Sequence, residues 1–138
     1  MIIESEFVDL PTPTGIMRTY VHKPKSESTF PTILFYSEIF QQTGPIERAA
    51  KIMASHGFVV LVPEVFHELN EIGTVLNYDD AGRDKGNADK SEKNVQAYDT
   101  DNQAMIDWVG KQKWTNGHVG AMGFCIGGHL AFRAALNP

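Results

Sequence analysis

The sequence predicts an α/β fold: a mostly parallel sheet flanked by helices, with an antiparallel hairpin at its N-terminal side. Three observations carry that prediction. Two short runs, Pro31-Thr32-Ile33-Leu34-Phe35-Tyr36 and Phe58-Val59-Val60-Leu61-Val62, are almost wholly apolar, as strands covered on both faces of a parallel sheet are. Between them lies a segment of helical spacing, which supplies the right-handed crossover that parallel strands require. Farther on, a strand-like run passes through closely spaced glycines into another helical run, continuing the alternation that defines the class.

Each element has its own warrant. Residues 3–9 and 15–22 read as hairpin arms joined by Pro11-Thr12-Pro13-Thr14-Gly15, a loop of strong turn formers. Alternation through Met17-Arg18-Thr19-Tyr20-Val21 gives the second arm one covered face. Lys23 to Thr29 is polar and reads as a surface loop. After the first buried strand, Gly44-Pro45 opens a helix, since proline in the first turn lacks only an N–H that has no partner there. Ile46, Ala49, Ala50 and Met53 fall at i, i+3, i+4 and i+7, one apolar face, and Gly57 is placed to end the helix. Pro63 stops the second buried strand.

Residues 64–92 are rich in Asp, Asn, Gly and Lys and read as a loop longer than an ordinary connection. A long loop after a parallel strand is a usual place for substrate contacts. Helical spacing returns from about Glu92 to Val109, with Val95, Tyr98, Met105 and Trp108/Val109 on one side. Asn116-Gly117 makes a turn, His118 to Gly123 a strand, and Ile126 to Leu136 a helix stopped by Asn137-Pro138. There is no internal repeat and no low-complexity segment.

Composition narrows the function classes. The 138 residues, 42% hydrophobic and 21% charged, suffice for one domain with a core. No apolar run approaches the roughly eighteen residues of a membrane span. The net charge is −5 and the Lys and Arg residues are scattered, which argues against nucleic acid or an anionic membrane as partner. The first six residues lack a basic n-region and an apolar h-region, so no secretory signal is expected. A single cysteine excludes an internal disulfide and suits a reducing compartment, so a cytoplasmic location is expected.

The chemistry concentrates in Gly123-Phe124-Cys125-Ile126-Gly127-Gly128. This fits G-x-C-x-G, the cysteine version of the nucleophile elbow of α/β-hydrolases. A strand that turns sharply into a helix strains the central residue, and the close approach of strand and helix leaves flanking positions no room for a Cβ. Hence glycine at 123 and 127. The sulfur stands at a helix N-terminus, where the backbone favours thiolate, and the Ile126 N–H faces a developing oxyanion. The bland alternative is a buried structural thiol in a tight turn; a strand before the motif and a helix after it favour the elbow.

With the motif in place, the chain resembles the dienelactone hydrolase family. The resemblance rests on Tyr36-Ser37-Glu38-Ile39-Phe40, on Phe58-Val59-Val60-Leu61-Val62-Pro63-Glu64 and on Met122 to Phe132, and runs from about residue 5 to residue 138. It implies an α/β-hydrolase fold, small lactone or ester substrates and a Cys-His-Asp triad. Cys125 then matches the nucleophile, Glu38 the glutamate that holds the resting thiol and helps activate it, and the Ile39 N–H a second oxyanion-hole donor. A carboxylate at the end of a buried parallel strand is where ligands bind in open α/β sheets; the alternative for Glu38 is a solvated strand-end residue.

Two departures qualify the resemblance. The family's arginine for the substrate carboxylate has no evident counterpart after the second buried strand, where the chain reads Val65-Phe66-His67-Glu68; Arg83 is the candidate substitute. The acid and histidine of an α/β-hydrolase follow its nucleophile, and such domains run to about 200–250 residues. Residues 1–138 are therefore expected to be the N-terminal part of one such domain, truncated after the elbow helix. That would leave a strand edge open to pairing, including with a second copy of the chain.

Among the histidines, His22 falls in the hairpin arm, His56 at a helix end and His118 at the wrong end of its strand. His129, one turn beyond Cys125, points toward sheet or neighbouring helix and is expected to pack or to make a local hydrogen bond. His67, beside Glu68, is the candidate base. No paired-cysteine spacing, H-E-x-x-H, G-x-G-x-x-G or G-x-x-x-x-G-K-[ST] occurs, so neither metal nor nucleotide cofactor is expected. Tyr78, Trp108 and Trp114 read as core or rim aromatics. The competing functions are a thiol hydrolase, a non-catalytic fragment or binding module on the same scaffold, and a thiol redox sensor, the last without a resolving cysteine.

Overall fold

Turn chemistry fixes the first pairing. In the computed structural model, which describes residues 1–136, β1 (Ile3–Thr12) and β2 (Gly15–Pro24) pair antiparallel from Ile3 opposite Pro24 to Thr12 opposite Gly15. The tight turn needs Gly15 at φ +137°, a conformation side chains resist. Thr12 Oγ1 donates to the Gly15 carbonyl at 2.7 Å and accepts from the Thr14 N–H at 3.2 Å.

The two apolar runs become β3 (Phe30–Tyr36) and β4 (Val59–Pro63), parallel neighbours linked by α1 (Gly44–Ala54). The sheet order is β1-β2-β4-β3-β5, with β5 (Thr115–Gly123) parallel to β3. One face packs on α1, where Ile46, Ala50 and Ala54 meet Phe35, Val60 and Val62. The other packs on α3 (Val95–Gly110) and α4 (Ile126–Ala135), where Met105, Val109, Leu130 and Ala131 meet Val21, Leu34 and Leu61. Both faces of β4 are thus covered and all five of its residues are buried, which explains its unbroken hydrophobicity.

The structure departs from the sequence reading in several places. Residues 64–92 are not one loop, because α2 (Asp80–Glu92) occupies the second half. This helix has no apolar stripe; its buried residues are Gly82, Gly86 and Asp89. A Cβ on Gly82 would stand 1.9 Å from the Asn77 carbonyl oxygen, and one on Gly86 2.8 Å from the Ile39 Cβ. The helix docks through absent side chains, which hydrophobic periodicity cannot register. The next helix begins at Val95, not Glu92, and Val95 is exposed; its inward face runs through Ala97, Asp101, Asn102, Met105 and Val109. β5 begins at Thr115, ahead of the expected turn at Asn116-Gly117. His129 is exposed rather than packed. The expected stop at Asn137-Pro138 lies outside the described residues. β5 is an edge strand, and most of it is exposed.

Candidate active site

The sharp turn from β5 into α4 places Cys125 at the N-cap of α4 with φ +58° and ψ −123°. A non-glycine residue in that region is held there only by its surroundings, and here the surroundings are specific. A Cβ on Gly123 would lie 2.2 Å from the Gly127 carbonyl carbon, and one on Gly127 2.1 Å from the Tyr36 carbonyl oxygen. Both elbow glycines are therefore sterically obligatory. The Phe124 N–H donates to the Tyr36 carbonyl at 3.3 Å, the Gly127 N–H to the Phe124 carbonyl at 2.8 Å and the Gly128 N–H to the Cys125 carbonyl at 3.0 Å. Cys125 itself is exposed, which removes the buried-thiol alternative.

Register brings Glu38 to the same end of the sheet. Tyr36 on β3 is the partner of Gly123 on β5, so Glu38 and Cys125 each follow by two residues at the ends of adjacent parallel strands. Such strands lie about 4.8 Å apart. The loop between β3 and α1 presents Ile39, whose side chain is buried against Gly86. Neither the Ile39 nor the Ile126 N–H has an acceptor among the described residues. Free N–H groups at a helix N-terminus and on a neighbouring loop can receive an oxyanion.

Glu38 has a partner that the sequence reading passed over. The Tyr78 hydroxyl donates to Glu38 Oε1 at 3.3 Å and also lies 2.5 Å from Thr43 Oγ1. The signal available in the sequence was Thr43 directly before Gly44-Pro45, a residue type favoured at helix N-caps. In the structure Thr43 is that N-cap and its hydroxyl makes no capping bond.

His67 lies in an ionic cluster with two carboxylates. Its side chain is only 1% exposed, with Nε2 3.0 Å from Asp101 Oδ1 and 3.5 Å from Glu68 Oε2. Facing carboxylates place a proton on Nε2, and Nδ1 is buried without a partner. Lys93, also 1% exposed at its side chain, completes the cluster: its ammonium lies 2.5 Å from Asp101 Oδ2 and 3.1 Å from Glu68 Oε1, the latter an ion pair without hydrogen-bond geometry. It also donates to the Val65 carbonyl and stands 4.8 Å from the Tyr98 ring centre. The donor atoms of His67, Glu68 and Asp101 lie within 4.8 Å of one another, a spacing a cation can bridge, and the Lys93 ammonium is the cation in place. Burial pushes the Tyr98 hydroxyl up to about 12, helped by the Glu68 and Asp101 charges. Burial likewise raises Tyr36, which donates to Asn102 at 3.0 Å. Both phenols are neutral near pH 7.

Arg83 stands exposed on α2, paired with Asp80 and Asp84 at 3.5 Å each. It lies one turn before Gly86, the contact point with Ile39.

A parallel sheet entered by a hairpin, with a strained residue on a glycine-flanked strand-to-helix turn, defines an α/β-hydrolase. The comparisons narrow the class. Residues 17–138 match the Dienelactone hydrolase family, and the chain belongs to that family. It is 40% identical over 144 residues to a Saccharomyces cerevisiae protein named, provisionally, a carboxymethylenebutenolidase, covering 99% of this chain and 52% of the relative. Identity to the carboxymethylenebutenolidase of Pseudomonas putida is 28%, covering 78% of this chain and 45% of that one. Among solved structures, a Klebsiella pneumoniae protein provisionally titled a dienelactone hydrolase superposes with a TM-score of 0.83 at 20% identity, covering 98% of this chain and 55% of that one. An acetyl xylan esterase from a Paenibacillus species shares the fold at a TM-score of 0.70 and 17% identity, covering 96% and 45%. The chain spans about half the length of the relatives it matches.

Proposed function

We propose that this chain carries the nucleophile half of a thiol hydrolase acting on small esters or lactones. The observation that carries the reading is the exposed Cys125 at φ +58° on an elbow whose flanking glycines have no room for a Cβ. Strain of that kind persists where it positions a reactive group.

In this mechanism the Cys125 thiolate attacks the substrate carbonyl, forming the Sγ–C bond. The carbonyl electron pair moves to oxygen, where the Ile39 and Ile126 N–H groups receive it. Collapse expels the alcohol, which takes up a proton, or opens the lactone ring. Water then attacks the thioester, and the thiolate leaves. Glu38 holds the resting thiol and takes part in releasing its proton. Arg83 is assigned to a substrate carboxylate, because its surface ion pairs are weak enough to exchange. The hydrolytic base belongs to a segment following the nucleophile, as in other α/β-hydrolases; His67 is committed to its buried cluster. We further assign the protein to the cytoplasm, and the open edge of β5 to association, whether with such a segment or with a second copy.

The test is turnover of p-nitrophenyl acetate by wild type and Cys125→Ala, with intact mass and oligomeric state measured on the same samples. The proposal expects acetylation of Cys125, read as an added acetyl mass that the variant lacks, and, where the segment carrying the base is present, turnover that falls at least about a thousandfold in the variant. Turnover that survives the loss of Cys125 would remove the thiol mechanism. Absence of turnover in both, together with ligand binding unaffected by the substitution, would favour a binding module instead.

A further inference from the structure

The segment between β4 and α2 is tied down by groups that a simple surface connection does not need. Glu64, only 3% exposed, accepts from the Tyr20 hydroxyl at 2.9 Å and from the Gly73 N–H at 3.1 and 3.2 Å. The Leu76 N–H donates to the Phe40 carbonyl at 3.1 Å. The Tyr78 and Phe40 rings meet edge-on with centres 4.8 Å apart. Asp79 caps α2 by accepting from the Gly82 N–H at 2.7 Å. The segment is thereby laid along the loop that presents Glu38 and Ile39, with the Tyr78 hydroxyl at its point of contact.

Thr43 shows that this contact has a cost. A threonine N-cap ordinarily satisfies a free N–H of the first turn, a bond worth about 1 kcal/mol. Thr43 is 5% exposed and occupies the N-cap of α1, yet its hydroxyl makes no such bond and lies against the Tyr78 hydroxyl. One arrangement satisfies both oxygens: Thr43 donates to Tyr78, and Tyr78 donates to the Glu38 carboxylate. A local rule broken in this way, with the group redirected toward a candidate site, is the pattern expected where position matters more than helix stability.

We infer that Tyr78, supported by Thr43, is a positioning residue that holds the Glu38 carboxylate in register with Cys125. The inference rests on the proposed role of Glu38. Tyr78 does not touch the reacting atoms; it acts through the carboxylate, by supplying a hydrogen bond to one oxygen and so fixing the direction of the other. Its ring edge on Phe40 sets the height of the hydroxyl above the loop. Phenylalanine at 78 keeps that packing and deletes only the donor.

The effect is readable on Cys125 itself, without turnover. We would measure the rate and pH profile of Cys125 alkylation by iodoacetamide in wild type, Tyr78→Phe, Glu38→Gln and the double variant, with circular dichroism confirming the fold. The expectation is that Tyr78→Phe slows alkylation about tenfold, the lower end for one hydrogen bond to a charged group, and that Glu38→Gln slows it at least as much. The double variant should match Glu38→Gln alone, because the hydroxyl acts only through the carboxylate. Thr43→Val should shift the rate in the same direction by a smaller factor. If Glu38→Gln slows alkylation while Tyr78→Phe does not, or if the two effects multiply in full, the positioning role is overturned and the role of Glu38 stands. If Glu38→Gln alkylates at the wild-type rate, the role of Glu38 falls and that of Tyr78 falls with it.

Discussion

Two regions of this molecule gather reactive side chains, and they are built in opposite ways. At the elbow, Cys125 is exposed and strained, two residues beyond β5 as Glu38 is two residues beyond the neighbouring β3. Beneath the hairpin turn, the side chains of His67, Lys93 and Asp101 are buried and that of Glu68 partly so; they are paired with one another, and Thr14 in the turn donates to Glu68 at 2.9 Å. The elbow keeps its backbone donors free and its sulfur in solvent. The cluster spends most of its polar atoms internally. Titratable residues at the ligand-binding end of a sheet are equally suggestive in a sequence; access separates a reactive centre from an ionic clamp. The cluster ties the β1–β2 turn to the α2–α3 junction.

The contrast predicts different failures. The largest belongs to Gly127→Ala. The added Cβ would sit 2.1 Å from a backbone oxygen of Tyr36, an atom that cannot rotate away. Strand and helix must part, at about 4 kcal/mol or more, and the urea midpoint should drop accordingly. Retained stability with unchanged Cys125 alkylation would mean that the elbow is looser than its geometry states.

Next comes Asp101→Ala, which leaves the poorly aligned Glu68 carboxylate as the countercharge to the buried Lys93 ammonium, beside the Val65 carbonyl and the Tyr98 ring. Removing one partner of a buried pair costs about 3–5 kcal/mol. The loss should be recovered in part by Asp101→Leu with Lys93→Met, since a matched apolar pair carries no desolvation penalty. Under conditions where the variant is folded, Cys125 alkylation should match wild type. A change in that rate would break the separation between the two regions and make the cluster part of the reactive site.

How far the sequence revealed these regions follows from what each is made of. The elbow was legible because its requirement is steric and local: glycine at 123 and 127 around a nucleophile, after a strand and before a helix. β3, α1 and β4 were legible because each buries an apolar face. The hidden element was α2, whose packing surface is Gly82, Gly86 and Asp89, so the residues that bring it closest are those with least to show. The cluster was half visible. His67 and Glu68 stood out as neighbours, but Lys93 and Asp101 arrive from a helix junction and a helix face, and no spacing rule links residues 34 apart in sequence such as His67 and Asp101. Tyr78 was legible as an aromatic and silent as a donor, because its partners Thr43 and Glu38 belong to another loop.

The smallest effect concerns a third polar arrangement, which joins the hairpin to the loop that presents Ile39. His22 is 2% exposed, with Nδ1 2.8 Å from Ser5 Oγ and Nε2 3.0 Å from Gln42 Oε1. Burial holds its pKa below the ordinary 6.5; the Gln42 hydrogen bond and Glu47 oppose the shift, and Lys51 adds to it. The unfolded chain therefore binds a proton at this site more readily than the folded one. Stability is unaffected well above 6.5, declines as pH falls through that value, and levels off below the folded pKa. His22→Gln should flatten that part of the thermal-midpoint profile, a change read as the difference between variant and wild type so that the other histidines cancel. A profile that instead rises on acidification across the same window would mean that His22 is held as a cation. The hairpin-to-loop bond would then resemble the ionic cluster rather than the neutral contacts around the elbow.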